Sequence, residues 1–390
     1  MTAEEKLLLN VSNSPHIHYP DSTPGIMWRV VLALLPSLVW AVVVFGWCVL
    51  VPVLAAVLAT LATEWLCQRW RGLPSSLGDG SAVVTGVLLA AVSPFNLPWW
   101  AAVLGGVFAI AVVKQAFGGL GHNIWNPALL ARAFLQTSMP ASMMSNEWPS
   151  LTSAGHWWKS LGSDFFSSLD SRLPALAEDG INALSSATPV YDGVNAVTGA
   201  TVLEAMHSPV ALAGIDAVGN TIYAEPLVFS PTWGEVWQTW LGVEGGALGE
   251  VSAILLLLGG AYLIWRRIIT WDIPFFYLLS VALLGWLLPH PFRIGADTAY
   301  TAWFSGPWLM HLGGGGLFLG AFFMATDLVT SPLTRSGRII FALGCGVMTV
   351  VIRLYGGYPE GVCYAILLMN TCVPLLDSWT RPRVFGTKRH

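Results

Sequence analysis

About ten apolar stretches recur along the chain, at roughly 26–46, 48–67, 80–94, 98–117, 124–139, 250–268, 273–289, 307–326, 338–355 and 360–377. Most approach the ~20 residues that carry a helix across a hydrocarbon core. Several are short or interrupted, around Pro94, Asn126-Pro127, Gly313–Gly316 and Pro359. Only 10% of the residues are charged, whereas a wetted globular surface takes about 25%. The 20 tryptophans suit a membrane–water boundary. The expected fold is an all-α polytopic membrane protein. With 18 Lys+Arg against 22 Asp+Glu and a net charge of -4, the chain carries no nucleic-acid footprint.

Basic residues set the expected orientation, because they are retained on the cytoplasmic side. Arg69, Arg71, Arg266, Arg267, Arg335 and Arg338 fall in alternate connections, and Arg381, Arg383, Lys388 and Arg389 close the chain. Residues 140–249 hold only Lys159 and Arg172 as Lys or Arg, heavily outnumbered by acids. Both termini are therefore expected in the cytoplasm of a bacterial inner membrane, with 140–249 in the periplasm. The chain divides into a cytoplasmic segment (1–25), a first membrane set (26–139), the outer loop (140–249), a second membrane set (250–377) and a tail (378–390). Residues 1–25 are polar without a small-residue cleavage site, so no signal peptide is expected.

The two membrane sets echo each other. Ser81-Ala-Val-Val-Thr-Gly-Val-Leu-Leu-Ala90 precedes Asn126-Pro127 by the interval that separates Gly314-Gly-Gly-Leu-Phe-Leu-Gly-Ala-Phe-Phe323 from Tyr358-Pro359. A five-span unit repeated in one chain must insert its second copy upside down. Inverted repeats with broken helices place a ligand or ion site where half-helix ends meet. The two breaks are accordingly expected to share a polar cavity near the midplane.

Within the outer loop stands Thr198-Gly199-Ala200-Thr201-Val-Leu-Glu204. Thr201 and Glu204 fit a capping box opening a helix toward Ala213. Gly199 and Ala200 also leave the Thr201 hydroxyl open to a modifying enzyme. A phosphate on that oxygen would sit at a helix start, where free N–H groups and the dipole favour an anion. Cap and attachment point are compatible. The loop's tryptophans, including Trp233, Trp237 and Trp240, suit short helices on the membrane surface.

The Thr-Gly-Ala-Thr segment resembles the Ser/Thr-Gly-Ala-Thr motif of two related membrane subunits. These are the D subunit of the Rnf electron-transport complex and the B subunit of the sodium-translocating NADH:quinone reductase. Gly118-Gly-Leu-Gly-His-Asn-Ile-Trp-Asn-Pro-Ala128, Phe323-Met-Ala-Thr-Asp-Leu-Val-Thr-Ser-Pro332 and Gly356-Gly-Tyr-Pro-Glu-Gly361 extend the likeness. Val373-Pro-Leu-Leu-Asp377 and Thr380-Arg-Pro-Arg-Val384 resemble the Rnf protein in particular. The resemblance implies FMN joined by a phosphoester to Thr201, with Thr198, Gly199 and Ala200 around it, and a flavin transferase for maturation. It also implies partner subunits carrying iron–sulfur clusters and further flavins, in a translocase that moves electrons between ferredoxin and NAD⁺ and couples them to Na⁺ or H⁺. A second, non-covalent flavin such as riboflavin is compatible with it. Two positions depart from the motif: Asn195 stands where Asp is usual, and Val202 follows Thr201.

Charges inside apolar spans are costly and mark either pairs or function. Glu64, Asp79, Lys114, Arg132, Asp327, Arg353, Glu360 and Asp377 qualify. Asp327, Glu360 and Asn370, in the family-like motifs of the second set, are expected near an ion path or a second flavin. Asn123, Asn126 and Arg132 occupy the first-set break, where Arg132 could meet a flavin phosphate or ring carbonyl. Interhelical pairing or helix-end anchoring is the competing reading for each. His122, His290 and His311 stand apart in sequence and read as structural. The five cysteines form no CxxC pair, so no metal site and no iron–sulfur site is expected within this chain alone. The rival function is a cofactor-free channel or transporter for a small polar solute such as urea or ammonium.

Overall fold

A computed structural model describes residues 22–94, 97–143, 213–215, 221–223, 233–241, 247–249, 252–294, 297–300, 302–356 and 360–381. In the first set, α1 is Thr23–Phe45, α2 Leu50–Trp70, α3 Ser81–Ala91, α4 Trp99–Val107 continued by a π-turn stretch Phe108–Gln115, and α5 Pro127–Ser138. A short helix in the connection between the two sets, α6, spans Trp233–Leu241. In the second set, α7 is Ala253–Trp265, α8 Asp272–Leu287, α9 Trp308–Gly313, α10 Leu317–Leu319 continued by π-turns Gly320–Met324, α11 Arg335–Tyr355 and α12 Val362–Trp379. Every apolar stretch in the sequence carries helix, so the all-α polytopic architecture holds. The departures are two small antiparallel hairpins, Ala213–Ile215 with Thr221–Tyr223 and Pro291–Ile294 with Asp297–Tyr300.

Helix starts follow local chemistry. Ser22, Ser252 and Thr334 accept hydrogen bonds from the backbone N–H groups of Gly25, Leu255 and Gly337, relieving donors that an opening turn leaves bare. At α5 the Asn126 amide oxygen accepts from the N–H of Ala128 at 3.1 Å and of Leu129 at 3.4 Å, and Pro127 takes the first helical position. The second-set break is built on glycine: α9 ends at Gly313, and Gly315 adopts φ +69°, a conformation that side-chain-bearing residues avoid.

Among the described residues four helices, α1, α2, α11 and α12, are long and apolar enough to cross a membrane. The 11-residue α3 and the 12-residue α5 reach only ~16–18 Å at 1.5 Å per residue, about half a hydrocarbon core. Broken elements of this kind occur at membrane depth only where protein or a cavity covers their ends. Here both α3 and α5 are largely buried.

Packing follows the same plan in both sets. The second span packs most extensively on the fourth, α2 on α4 and α8 on α11. Between sets, first meets first and fifth meets fifth, as α1 with α7 and α5 with α12. The fifth spans run antiparallel: the Trp125 indole N–H donates to Thr371 Oγ1 at 3.0 Å, the Cys363 thiol donates to the Leu129 carbonyl at 3.3 Å, and Arg132 pairs with Glu360. Close approaches rest on small residues. A Cβ at Gly86 of α3 would come within 2.7 Å of Val57 Cα on α2. At the end of the bundle where α1 begins, Asp272 at the head of α8 pairs with Arg338 of α11 at 3.0 Å.

Candidate functional site

A cavity of about 100 Å³ lies between the two sets. Its apolar walls include Val30, Leu88, Leu263, Phe322 and Phe323, and its polar lining is Ser81, Thr85, Lys114, Asn123, Asn126, Thr326 and Asp327. Residues at the start of α1, in the connection 120–126, at Ile268-Ile269 and at 326–329 surround it. It therefore sits toward the end of the bundle where α1 begins.

Each polar group is held by short-range geometry. Asn126 is fixed by its capping role, and its Nδ2 points to the Met324 carbonyl at 3.5 Å, across to the second set. Asn123 donates to the Trp125 carbonyl at 3.3 Å. Asp327 is half-buried in a turn, accepting from the Val329 N–H at 3.4 Å and from the Thr330 hydroxyl at 3.3 Å. Lys114 is 2% exposed, with its ammonium 2.7 Å from Glu64 Oε1 and 2.6 Å from Ser81 Oγ. Glu64 Oε1 also accepts from Gln68 and Gln115, so one carboxylate gathers α2, α4 and the cavity wall. Asp79 holds the head of α3, accepting from Ser81 N at 2.8 Å and Ser81 Oγ at 2.6 Å.

The second set contains a similar junction. Arg353, buried in α11, donates to the His311 carbonyl at 2.5 Å and the Gly314 carbonyl at 3.0 Å. A cation thus closes the end of α9, where bare carbonyls and the helix dipole are negative. Ser81 and Gly314 are the residues that the sequence echo aligned. Each is bonded by a buried cation from the fourth span of its own set.

The sequence-predicted residues that are described fall in three places. Asn126 and Asp327 line the cavity. Arg132 and Glu360 do not line it; they form an ion pair between α5 and the head of α12. Asn370 lies on α12, 1% exposed, with neither amide atom hydrogen-bonded among the described residues. Of the two proline breaks expected to share one cavity, the first lines it through Asn126 and Pro127, and the second falls outside the described residues. Trp125, beside Asn126, lies along the middle of α12, and Glu360 lies along the middle of α5. Tyr358 and Pro359 lie outside the described residues, as do Thr198, Gly199, Ala200 and Thr201.

Sequence reading missed two arrangements. His290 and His311, remote from one another in sequence, are paired through Nε2 atoms 2.6 Å apart. The Glu64–Lys114 pair joins residues already recognised as buried charges, but nothing in their spacing linked them. Among the described residues no cluster of three or more His, Cys, Asp or Glu could hold a metal ion. Cys67, Cys345, Cys363 and Cys372 form no disulfide among the described residues.

The family model for NQR2, RnfD and RnfE matches residues 10–386. The chain belongs to this family. Members along its whole length include the D subunit of the Na⁺-translocating ferredoxin:NAD⁺ oxidoreductase complex of Acetobacterium woodii. It is 41% identical over 384 residues, covering 98% of this chain and 97% of that one. The D subunit of the proton-translocating ferredoxin:NAD⁺ oxidoreductase complex of Clostridium ljungdahlii is 37% identical over 385 residues, 99% of this chain and 98% of its own. The D subunit of the ion-translocating oxidoreductase complex of Halorhodospira halophila is 39% identical, covering 96% of this chain and 95% of its own. The NQR2, RnfD, RnfE match thus extends over both membrane sets and the loop between them.

Proposed function

We propose that this chain is the D subunit of a redox-driven, ion-translocating ferredoxin:NAD⁺ oxidoreductase complex in a bacterial inner membrane. The observation that carries this reading is the end-to-end match to proteins bearing that name, at 41% identity in one case. The polytopic architecture and the half-spanning helices around a polar cavity agree with it. The chain acts with iron–sulfur and flavin subunits, a reading supported by the relatives' names as subunits of a ferredoxin:NAD⁺ oxidoreductase complex. Both termini face the cytoplasm and residues 140–249 the periplasm, a reading supported by the gathering of Arg69, Arg71, Arg266, Arg267, Arg335 and Arg338 in alternate connections.

FMN is joined to Thr201 by a phosphoester, a reading supported by the Thr198-Gly199-Ala200-Thr201 motif and its family. A second, non-covalent flavin such as riboflavin does not fit this cavity, since about 100 Å³ is well below the ~300–1,000 Å³ of small-molecule pockets. The cavity lining combines apolar faces from Leu88, Leu263 and Phe323 with amide edges from Asn123 and Asn126. A flavin supplies one- and two-electron carriage when bound, while the chain positions it and sets its electrostatics. Asn126, held by its cap, offers a fixed Nδ2. Lys114 brings positive charge to the wall, balanced by Glu64. The two sets are inverted copies, supported by the antiparallel fifth spans and the paired cation junctions. Asp327 serves the ion path at the cavity, and Glu360 and Asn370 serve it along α12.

Membrane vesicles containing the assembled complex test this. Reduced ferredoxin should drive NAD⁺ reduction together with Na⁺ uptake or proton movement, and both should vanish when this chain is deleted and return when it is restored. Solute flux through the purified chain, with no effect of its deletion on ferredoxin-driven NAD⁺ reduction, would favour the channel reading.

A further inference from the structure

The described parts of the outer connection are fastened at two points. At the first, the ring of Trp240 in α6 covers the end of α9: its N–H donates to the Leu309 carbonyl at 3.3 Å. A Cβ at Gly313 would come within 2.7 Å of this ring, so glycine is what lets it seat. At the second, Ala247, Leu248 and Gly249 are buried and bonded to the end of α3. Pro94 bridges Ala247, Leu248 N–H donates to the Ser93 carbonyl at 3.0 Å, and Gly249 N–H donates to the Ala91 carbonyl at 2.6 Å. A Cβ at Gly249 would meet that of Ala91 at 2.6 Å. Between these points, the Trp40 indole of α1 donates to the Leu241 carbonyl at 3.1 Å.

Both fastened elements lead directly to the cavity. Ala91 lies one turn beyond Leu88, which lines the cavity with Thr85, Val84 and Ser81 of the same helix. On the other side, Trp240 meets Phe318 edge to face at 5.6 Å, and Phe318 stacks on Phe322 at 6.2 Å with planes 5° apart. Phe322 is cavity wall. The free face of α6 presents Trp233, Trp237 and Leu241 at four-residue spacing, 73%, 58% and 48% exposed. Such a face suits the lipid boundary, which anchors the helix flat against the bundle.

We propose that Trp233–Leu241 and Ala247–Gly249 act together as a two-footed strap that keeps the cavity closed toward the face carrying the outer loop. Access is left to the opposite, loop-lined end, where α1 begins. Trp240 is the positioning residue, acting on the cavity wall through Phe318 and Phe322. An ion-coupled machine needs such one-sided closure, since a cavity open at both ends short-circuits the gradient. The closure does not depend on flavin attachment at Thr201.

Labelling of the assembled complex in sealed vesicles of both orientations tests this. Thr85→Cys places a thiol on the cavity wall, and peptide mapping separates it from the native cysteines. A membrane-impermeant maleimide should reach it from the α1 end and not from the strap end. Trp240→Ala, which empties one foot, and Ala91→Leu, which crowds Gly249 at the other, should each raise labelling from the strap end at least ten-fold. Trp240→Phe, which keeps a ring, should remain nearly closed. If Trp240→Ala fails to assemble, Ala91→Leu and Gly313→Ala give the same reading. Labelling from the strap end in the unaltered strap, or no change in either loosened variant that assembles, overturns the proposal. Thr201→Val should leave every labelling rate unchanged, so failure of the flavin reading and failure of the strap are distinct results.

Discussion

The Arg132 guanidinium of α5 lies against the Glu360 carboxylate at the head of α12, so an ion pair ties the first membrane set to the second. Their side chains are 9% and 19% exposed. Removing one partner of a buried pair leaves an uncompensated charge and costs ~3–5 kcal/mol, whereas replacing both by apolar side chains is close to neutral. Arg132→Met and Glu360→Gln should each lower the thermal midpoint of the purified complex. Arg132→Met combined with Glu360→Met should restore most of it. On the proposed ion path through Glu360, ion-coupled electron transfer should stay low in the double variant. Recovery of stability and transport together would reduce the pair to a tie between helices.

Asp327 stands at the cavity in a turn that its own carboxylate closes. Asp327→Asn keeps an acceptor for the Val329 N–H, turns an amide donor toward the Thr330 hydroxyl, which can accept from it, and removes the charge. The variant should assemble with flavin content unchanged, and lose most Na⁺- or H⁺-coupled transfer in vesicles. Coupled rates equal to those of the parent would make Asp327 a turn residue alone.

Thr201→Val keeps side-chain volume and removes the oxygen on which a phosphoester forms. The variant should lose the in-gel fluorescence that survives SDS, together with the mass increment of one FMN unit, and still insert. Loss of a helix cap alone costs only ~0.5–2 kcal/mol, too little to unfold a bundle of this size. Thr198→Val should remain fluorescent. Fluorescence retained in Thr201→Val, or a parent chain with no added mass, would move the attachment elsewhere or remove it.

The inside bias of arginine can be read with single cysteines. Ser336 is exposed at the start of α11, and Ser167 falls in the acidic connection 140–249. Ser167→Cys should react with an impermeant maleimide on intact cells, and Ser336→Cys only after permeabilisation. The opposite pattern would invert the topology and put Thr201 on the cytoplasmic side.

Gly86 is where α3 lies closest to α2, its hypothetical Cβ 2.7 Å from Val57 Cα and 2.8 Å from Thr60 Oγ1. Gly86→Ala must push backbone against backbone, an overpacking cost of ~1–3 kcal/mol. Its thermal midpoint should fall. Gly78→Ala, where nothing lies within 4 Å, should leave it in place.

What the sequence determined by itself was everything set by neighbours along the chain. Apolar length placed the spans, because hydrocarbon demands ~20 covered residues. Asn126-Pro127 announced a helix start, since an amide cap and a ring with fixed φ act within one turn. The Gly313–Gly316 run announced the break that Gly315 makes at positive φ. Tertiary structure alone decided which costly groups meet. Glu64 finds Lys114 50 positions away, Arg132 finds Glu360 228 away, and His290 finds His311 21 away. Neither hydropathy nor spacing encodes such partners: each buried charge reports only that it needs compensation. The crossing of helices supplies it. Likewise Trp240 read as one more surface aromatic, and became a wedge only because α9 ends in a glycine beneath it.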